Sequence, residues 1–328
     1  MKLLKLKYWF LTGMMLFISV PSLKANSKYK TYITVAKDGS GDFTSIQKAL
    51  QSCKSFPYKR ITIYIKNGVY HEKVRVPSWN AKITMIGQSK DKTIITYDDY
   101  FKKINKGRNS TFYTATMLVR GNDFVAKNLT IKNSAGPVGQ AIALYLLADR
   151  VTIINCRILG NQDTLYLSGE NFRQYFKNCY IDGTTDFIFG EATAVFDDCE
   201  IKIKDNSYIT AGSTPHGVKY GFVFKNCRLT AVKGVNNVFL GRTWRQYAKT
   251  VLLNCWLGPQ IRPKGWYDWN NPKADRDSFY AEYHSKGPGA NSKDRVSWSH
   301  QLSKSQVQQY TLKNIFRDWT PATQPNKK

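Results

Sequence analysis

Five of the six cysteines in this 328-residue chain stand in one repeated local setting, and that repetition narrows the possible folds sharply. The copies are Asn155-Cys156-Arg157-Ile158, Asn178-Cys179-Tyr180-Ile181, Asp198-Cys199-Glu200-Ile201, Asn226-Cys227-Arg228-Leu229 and Asn254-Cys255-Trp256-Leu257, separated by 23, 20, 28 and 28 residues. Asn128-Leu129-Thr130-Ile131 reads as an earlier copy, 27 residues before, with Leu in place of Cys. A period of this size, with short β-branched runs in every unit, signals a solenoid in which each unit is one coil. In a parallel β-helix, equivalent residues of successive coils stack roughly 4.8 Å apart. The cysteines then form an inward ladder of small apolar side chains. That spacing is somewhat long for an unstrained disulfide, so it favours thiols while leaving a bridge between neighbours open. No Cys/His arrangement with zinc-ligand spacing occurs, and no metal or other cofactor is expected.

A solenoid exposes a strand edge at its first coil, which has to be covered. Residues 31–36 read as a strand, Asp38-Gly39-Ser40-Gly41-Asp42 as a tight loop, and 44–53 as a capping helix. Thr44 and Gln47 fit a capping box, and Ile46, Ala49, Leu50 and Cys53 supply the apolar face. Strands are expected at residues 61–65 and 83–86. From Trp256 onward, Trp, Pro, Gly and charge predict long loops and a C-terminal cap. No linker interrupts the series, so residues 29–320 read as one β-helix domain, with 321–328 as a tail. Residues 1–25 have the layout of an export signal: Lys2, Lys5 and Lys7, an uncharged apolar run over 8–20, and small residues before a cleavage point near Ala25. The run falls short of the about 20 residues of a membrane span. A secreted or periplasmic protein is expected, with no membrane span after cleavage.

The formal charge is +26, and losing the four lysines of the signal leaves about +22. Such a balance suits a polyanionic partner. The export signal and the scatter of the basic residues favour an acidic polysaccharide over nucleic acid.

Register also places the chemistry. Asp163 follows Cys156 by seven residues, and Asp186 follows Cys179 by seven. If the cysteines stack, the two aspartates occupy one position on adjacent coils. Two carboxylates that close share a proton, which makes one an acid and the other a nucleophile or base. Arg242, in Leu240-Gly241-Arg242-Thr243-Trp244, is available to keep one of them ionised.

These residues also carry a resemblance. From Asp38-Gly39-Ser40-Gly41-Asp42-Phe43 to Gly265-Trp266 the chain resembles the pectin methylesterases, carbohydrate esterase family 8. The matching pieces are Gly68-Val69-Tyr70-His71-Glu72-Lys73-Val74, Gly136-Pro137 with Gly139-Gln140-Ala141-Ile142-Ala143-Leu144, Gly160-Asn161-Gln162-Asp163-Thr164-Leu165-Tyr166, Asp186-Phe187-Ile188-Phe189-Gly190, and the Arg242 segment. The resemblance implies an all-β fold, a single-stranded right-handed parallel β-helix, and hydrolysis of the methyl esters of homogalacturonan; a monomer is expected. It further implies Asp186 as nucleophile, Asp163 as acid and then base, Gln140 and Gln162 as the oxyanion hole, and Arg242 as the partner of Asp186. Thr116, Gln140, Tyr166, Phe189, Arg242, Trp244 and Trp266 match the family's substrate contacts. Thr243 stands where the family usually has Pro, which puts the rigidity of that loop in question.

Other readings remain. A pectate lyase or polygalacturonase could use the same fold, and a non-catalytic polyuronate-binding protein could use the same basic groove. A Ser-His-Asp esterase is disfavoured because no G-x-S-x-G elbow occurs and only four histidines exist, at 71, 216, 284 and 300.

Overall fold

A computed structural model describes residues 29–322. The expected export signal lies outside the described residues, as does the tail beyond residue 322. Three sheets of parallel strands wind along the chain as a parallel β-helix. The first has eleven strands, from Tyr32–Val35 to His300–Gln301. The second runs from Gly68–His71 to Trp256–Leu257 and the third from Val74–Val76 to Trp266–Tyr267, with eight strands each. One coil shows the plan: Val151–Ile154 lies in the first sheet, Arg157–Leu159 in the second and Leu165–Leu167 in the third.

The corner between first and second sheets explains the repeated Asn-Cys. Asn128, Asn155, Asn178, Asp198, Asn226 and Asn254 all have φ between 50° and 55°. Asn and Asp tolerate this left-handed region better than other residues with a Cβ, so the chain turns there at little cost. The next residue points inward. Thiols of Cys179, Cys199, Cys227 and Cys255 donate to backbone carbonyls one coil back, those of Ile153, Phe176, Phe196 and Phe224, at 3.4–3.7 Å. A cysteine therefore fills a small apolar space and also offers a weak donor where a carbonyl is buried. All six cysteines are free and buried. Burial pushes the Cys156 thiol up to about 12, so it stays protonated.

The core is built of inward columns, among them Phe176, Phe196 and Phe224, whose rings stack at 4.8 and 4.5 Å. The outside of the first sheet carries a second apolar column of Tyr175, Val195, Val223, Val251 and Ala281. The helix Leu312–Phe316 covers it with Ile315 and Phe316. Arg173 ties this strap down by donating to Phe316 O at 2.8 Å and to Asp318 at 2.5 Å. No helix among the described residues is long and apolar enough to cross a membrane.

The N-terminal cap differs from its expectation. The helix spans Ile46–Gln51 and is capped by Ser45, not Thr44. The Glu72 carboxylate, from a later coil, accepts from Ile46 N at 2.9 Å, Gln47 N at 3.0 Å and Ser45 Oγ at 2.7 Å. Gln47 is thereby freed to exchange hydrogen bonds with the Arg75 backbone. A partner 27 residues away satisfies the helix terminus, so the local sequence pattern pointed to the wrong cap.

Candidate active site

The two aspartates occupy the turns that lead into neighbouring strands of the third sheet. Leu165 pairs with Ile188, so Asp163 and Asp186, each two residues earlier, hold the same place on adjacent coils. Both adopt the left-handed conformation, with φ of 63° and 49°. Their backbone amides donate one coil onward, Asp163 N to Thr185 O at 3.1 Å and Asp186 N to Tyr208 O at 2.9 Å. Gln140 and Gln162 are bridged in parallel beside them. All four line one cavity of about 420 Å³ together with Arg242.

Arg242 reaches the site from two coils further on. The outward column of the third sheet runs Leu118, Tyr145, Tyr166, Phe189, Ala211, Arg242 and Tyr267 in register. Ala211 carries only a methyl group, which leaves room for the guanidinium to extend across its coil. It meets Asp186 bidentately, Nε to Oδ1 at 2.9 Å and Nη2 to Oδ2 at 2.5 Å. Two rings hold the guanidinium, that of Tyr208 at 4.1 Å and that of Trp269 at 3.5 Å from its central carbon.

This asymmetry separates the two acids. Asp163 is 5% exposed and Asp186 7%. Burial raises the Asp163 pKa well above the usual carboxylate value, and the nearby Asp186 charge raises it further; a hydrogen bond from Gln140 and the more distant Arg242 oppose this only in part. Burial also raises Asp186, and the direct hydrogen bonds and charge of Arg242 offset this in part. Burial and the neighbouring charge thus favour the protonated form of Asp163, while Arg242 favours the ionised form of Asp186.

Among the aromatics expected from the resemblance, Phe189 and Trp244 line the cavity. Tyr166 lies behind, stacked on Phe189 at 4.5 Å and 9°. Two of the expected contact residues lie away from this cavity. Trp266 is only 1% exposed and packs in the core against Tyr280 at 4.7 Å. Its neighbour Tyr267 pairs with Arg242 on the outside, so alternation along the strand turns Trp266 inward. Thr116 is fully buried, with its hydroxyl donated to Lys132 O at 3.0 Å, and does not line the cavity. Thr111 and Trp269 are in the wall instead, with Arg108, Phe112 and Arg245. Thr243 donates to Asp268 O at 2.8 Å and so fastens the loop that carries Trp269. Of these unanticipated residues, Ala211 could have been found by extending the register of the third sheet. Those at 108–112 and 269 sit in loops outside the repeat and left no such signal.

The Pectinesterase family model matches residues 32–318. The chain belongs to the pectinesterase family. A relative from Arabidopsis thaliana, described as probable pectinesterase/pectinesterase inhibitor 58, is 37% identical over 316 residues. The match covers 91% of this chain but 54% of the relative, so the chain spans about half that protein's length. Among solved pectinesterases, pectin methylesterase from carrot superposes with a TM-score of 0.81 at 33% identity, covering 86% of this chain and 92% of that one. A pectin methylesterase solved in complex with a hexasaccharide gives 0.78 at 30% identity, covering 89% and 98%. The fold of this pectinesterase-family chain is thus the right-handed parallel β-helix.

Proposed function

We propose that the chain is an exported pectin methylesterase, which hydrolyses the methyl esters of homogalacturonan to free carboxylates and methanol. One observation carries the reading: two carboxyl groups share a register position on adjacent coils, and only one of them is held by an arginine. The ionised Asp186 attacks the ester carbonyl carbon, and the carbonyl oxygen becomes an oxyanion. The side-chain amides of Gln140 and Gln162, both in the cavity wall, stabilise that charge. Collapse breaks the bond to methoxide, which takes the proton of Asp163 and leaves as methanol. The resulting anhydride joins the galacturonyl group to Asp186. Asp163, now a carboxylate, removes a proton from water as the water oxygen attacks the galacturonyl carbonyl. Asp186 is released as a carboxylate and the free acid departs, so ester and water have become acid and methanol.

Arg242 holds Asp186 in line and favours its ionised form, while Tyr208 and Trp269 keep the guanidinium from swinging away. Phe189 and Trp244 offer apolar faces to the sugar rings. The strongly basic mature chain draws in a polyanion, and the apolar segment at residues 8–20 supplies a route to an extracellular or periplasmic polymer.

The test is product identity. Purified protein given methylated pectin should release methanol and titratable acid in equal amounts. Unsaturated product absorbing in the ultraviolet, without methanol, would instead make it a lyase. Replacing Gln140 or Gln162 by Ala should lower kcat by about 10²–10³-fold while changing KM little, because each donor engages charge that appears only in the transition state.

A further inference from the structure

Phe56 is 80% exposed and stands at φ 51°, in the left-handed region that a bulky side chain seldom adopts. Among the described residues, Phe, Tyr or Trp takes a positive φ at one other place, Trp269 in the wall of the reaction centre. A strained backbone and an exposed ring both work against folding, so the position calls for an explanation other than packing.

The segment that carries Phe56 joins the helix Ile46–Gln51 to the strand Ile61–Ile65, and it is held firmly. Phe56 N donates to Trp79 O at 2.7 Å, Asn80 Nδ2 donates to Lys54 O at 3.3 Å, and Pro57 is buried. The Tyr29 hydroxyl accepts from Lys59 N at 2.7 Å, and the Tyr29 ring meets that of Tyr58 edge-on at 4.9 Å. Three rings are thereby fixed in solvent at the N-terminal end of the solenoid: Phe56, Tyr58 at 58% exposure and Trp79 at 49%. Trp79 follows the strand Val74–Val76, which lies three places before Leu165–Leu167 in the third sheet, about 14 Å along the axis. None of the three rings lines the cavity of the reaction centre.

Charge around the rings is of one sign. From residue 43 to residue 90 the sequence holds nine Lys and Arg and a single acid, Glu72, whose carboxylate is taken up by the N-terminus of the helix Ile46–Gln51. Lys54 and Lys59 flank Phe56 and Tyr58 in the chain, are exposed and join no ion pair among the described residues. Arg60 donates to the carbonyls of Ile83 and Asp123, and the Asp123 carboxylate is held by Arg150 at 2.7 and 2.9 Å.

We propose that Phe56, Tyr58 and Trp79, with Lys54 and Lys59, form a second binding site, remote from the chemistry, for a stretch of uronate polysaccharide. Sugar rings bury their apolar faces against the aromatic rings, and the carboxylates of uronate units accept charge-assisted hydrogen bonds from the two ammonium groups. The choice of polymer rests on the esterase reading. A site of this kind tethers the protein to the polymer, so that the reaction centre meets esters at an effective concentration set by the tether.

The test uses the full chain, with affinity for long-chain polygalacturonate measured by calorimetry and turnover of a methyl-esterified galacturonate hexamer measured by methanol release. Phe56→Gly with Trp79→Ala should weaken binding of the polymer by about tenfold and leave kcat/KM on the hexamer within about twofold. Lys54→Gln with Lys59→Gln should weaken it comparably at low ionic strength, with the difference from wild type shrinking as salt is added. Phe56→Gly alone should not lower the thermal midpoint, because glycine adopts this φ without strain. Polymer affinity within about twofold of wild type in the aromatic variant overturns the site, and so does a loss matched by an equal loss of hexamer turnover. Anionic phospholipid vesicles and sedimentation serve as further probes: wild-type binding to vesicles, or self-association, that the aromatic variant abolishes while polymer affinity stays unchanged would give the rings to a lipid surface or a second copy instead. Polymer binding is read without turnover, so a protein that releases no methanol fails the esterase reading and not this one.

Discussion

Asp186→Asn is expected to reduce methanol release from methylated pectin by at least about 10⁴-fold, on the scale seen when other covalent hydrolases lose their nucleophile. An amide cannot form the anhydride. The variant should also be less stable. Arg242 has 17% of its side chain exposed and gives two hydrogen bonds to Asp186. In the variant a largely buried guanidinium loses its counter-charge and one of the two hydrogen bonds, keeping the amide oxygen and the two aromatic faces, a change costing about 1–3 kcal/mol. A lowered thermal midpoint with an unchanged far-ultraviolet circular dichroism spectrum would match this account. Activity within about tenfold of wild type would remove Asp186 from the nucleophile role.

Asp163→Asn should also stop turnover, by about 10²–10⁴-fold, because methanol then leaves without a proton. Its effect on stability should have the opposite sign. Asp163 is buried and lacks a contacting cation, and its folded-state pKa lies well above the value in an unfolded chain. A group shifted in that direction contributes its stability below the unfolded pKa and loses it as pH rises through the folded pKa. Asparagine does not titrate. The thermal midpoint of the variant minus that of wild type should therefore grow from about pH 4 upward and level off above the folded-state pKa of Asp163. A difference independent of pH would mean that Asp163 is not the proton holder. In the wild type, kcat/KM should follow a bell, its acid limb reporting ionisation of Asp186 and its alkaline limb loss of the proton from Asp163, as macroscopic values of the pair. The two variants together thus separate the roles, since both abolish activity while one costs stability and the other adds it.

The coil repeat and the shared place of the two aspartates are both legible in the amino-acid sequence. Each corner needs a residue tolerant of positive φ followed by a small inward one, so Asn-Cys recurs and marks each coil. The distance from the inward cysteine of that corner to the turn before the third sheet is seven residues in both coils that carry an aspartate, so equal spacing along the chain became vertical stacking in space. Other features depended on contacts between distant segments. Trp266 and Trp269 lie three residues apart, and only the pairing of Tyr267 with Arg242 turns the first into the core, while the loop tied by Thr243 lays the second over the guanidinium. Glu72, from a later coil, joins Ser45 in capping a helix whose own sequence assigned the cap to Thr44. The difference in environment between two identical carboxyl groups likewise arises in three dimensions. Desolvation and the reach of Arg242 past Ala211 are sums over every neighbour, and a one-dimensional spacing carries no record of those sums.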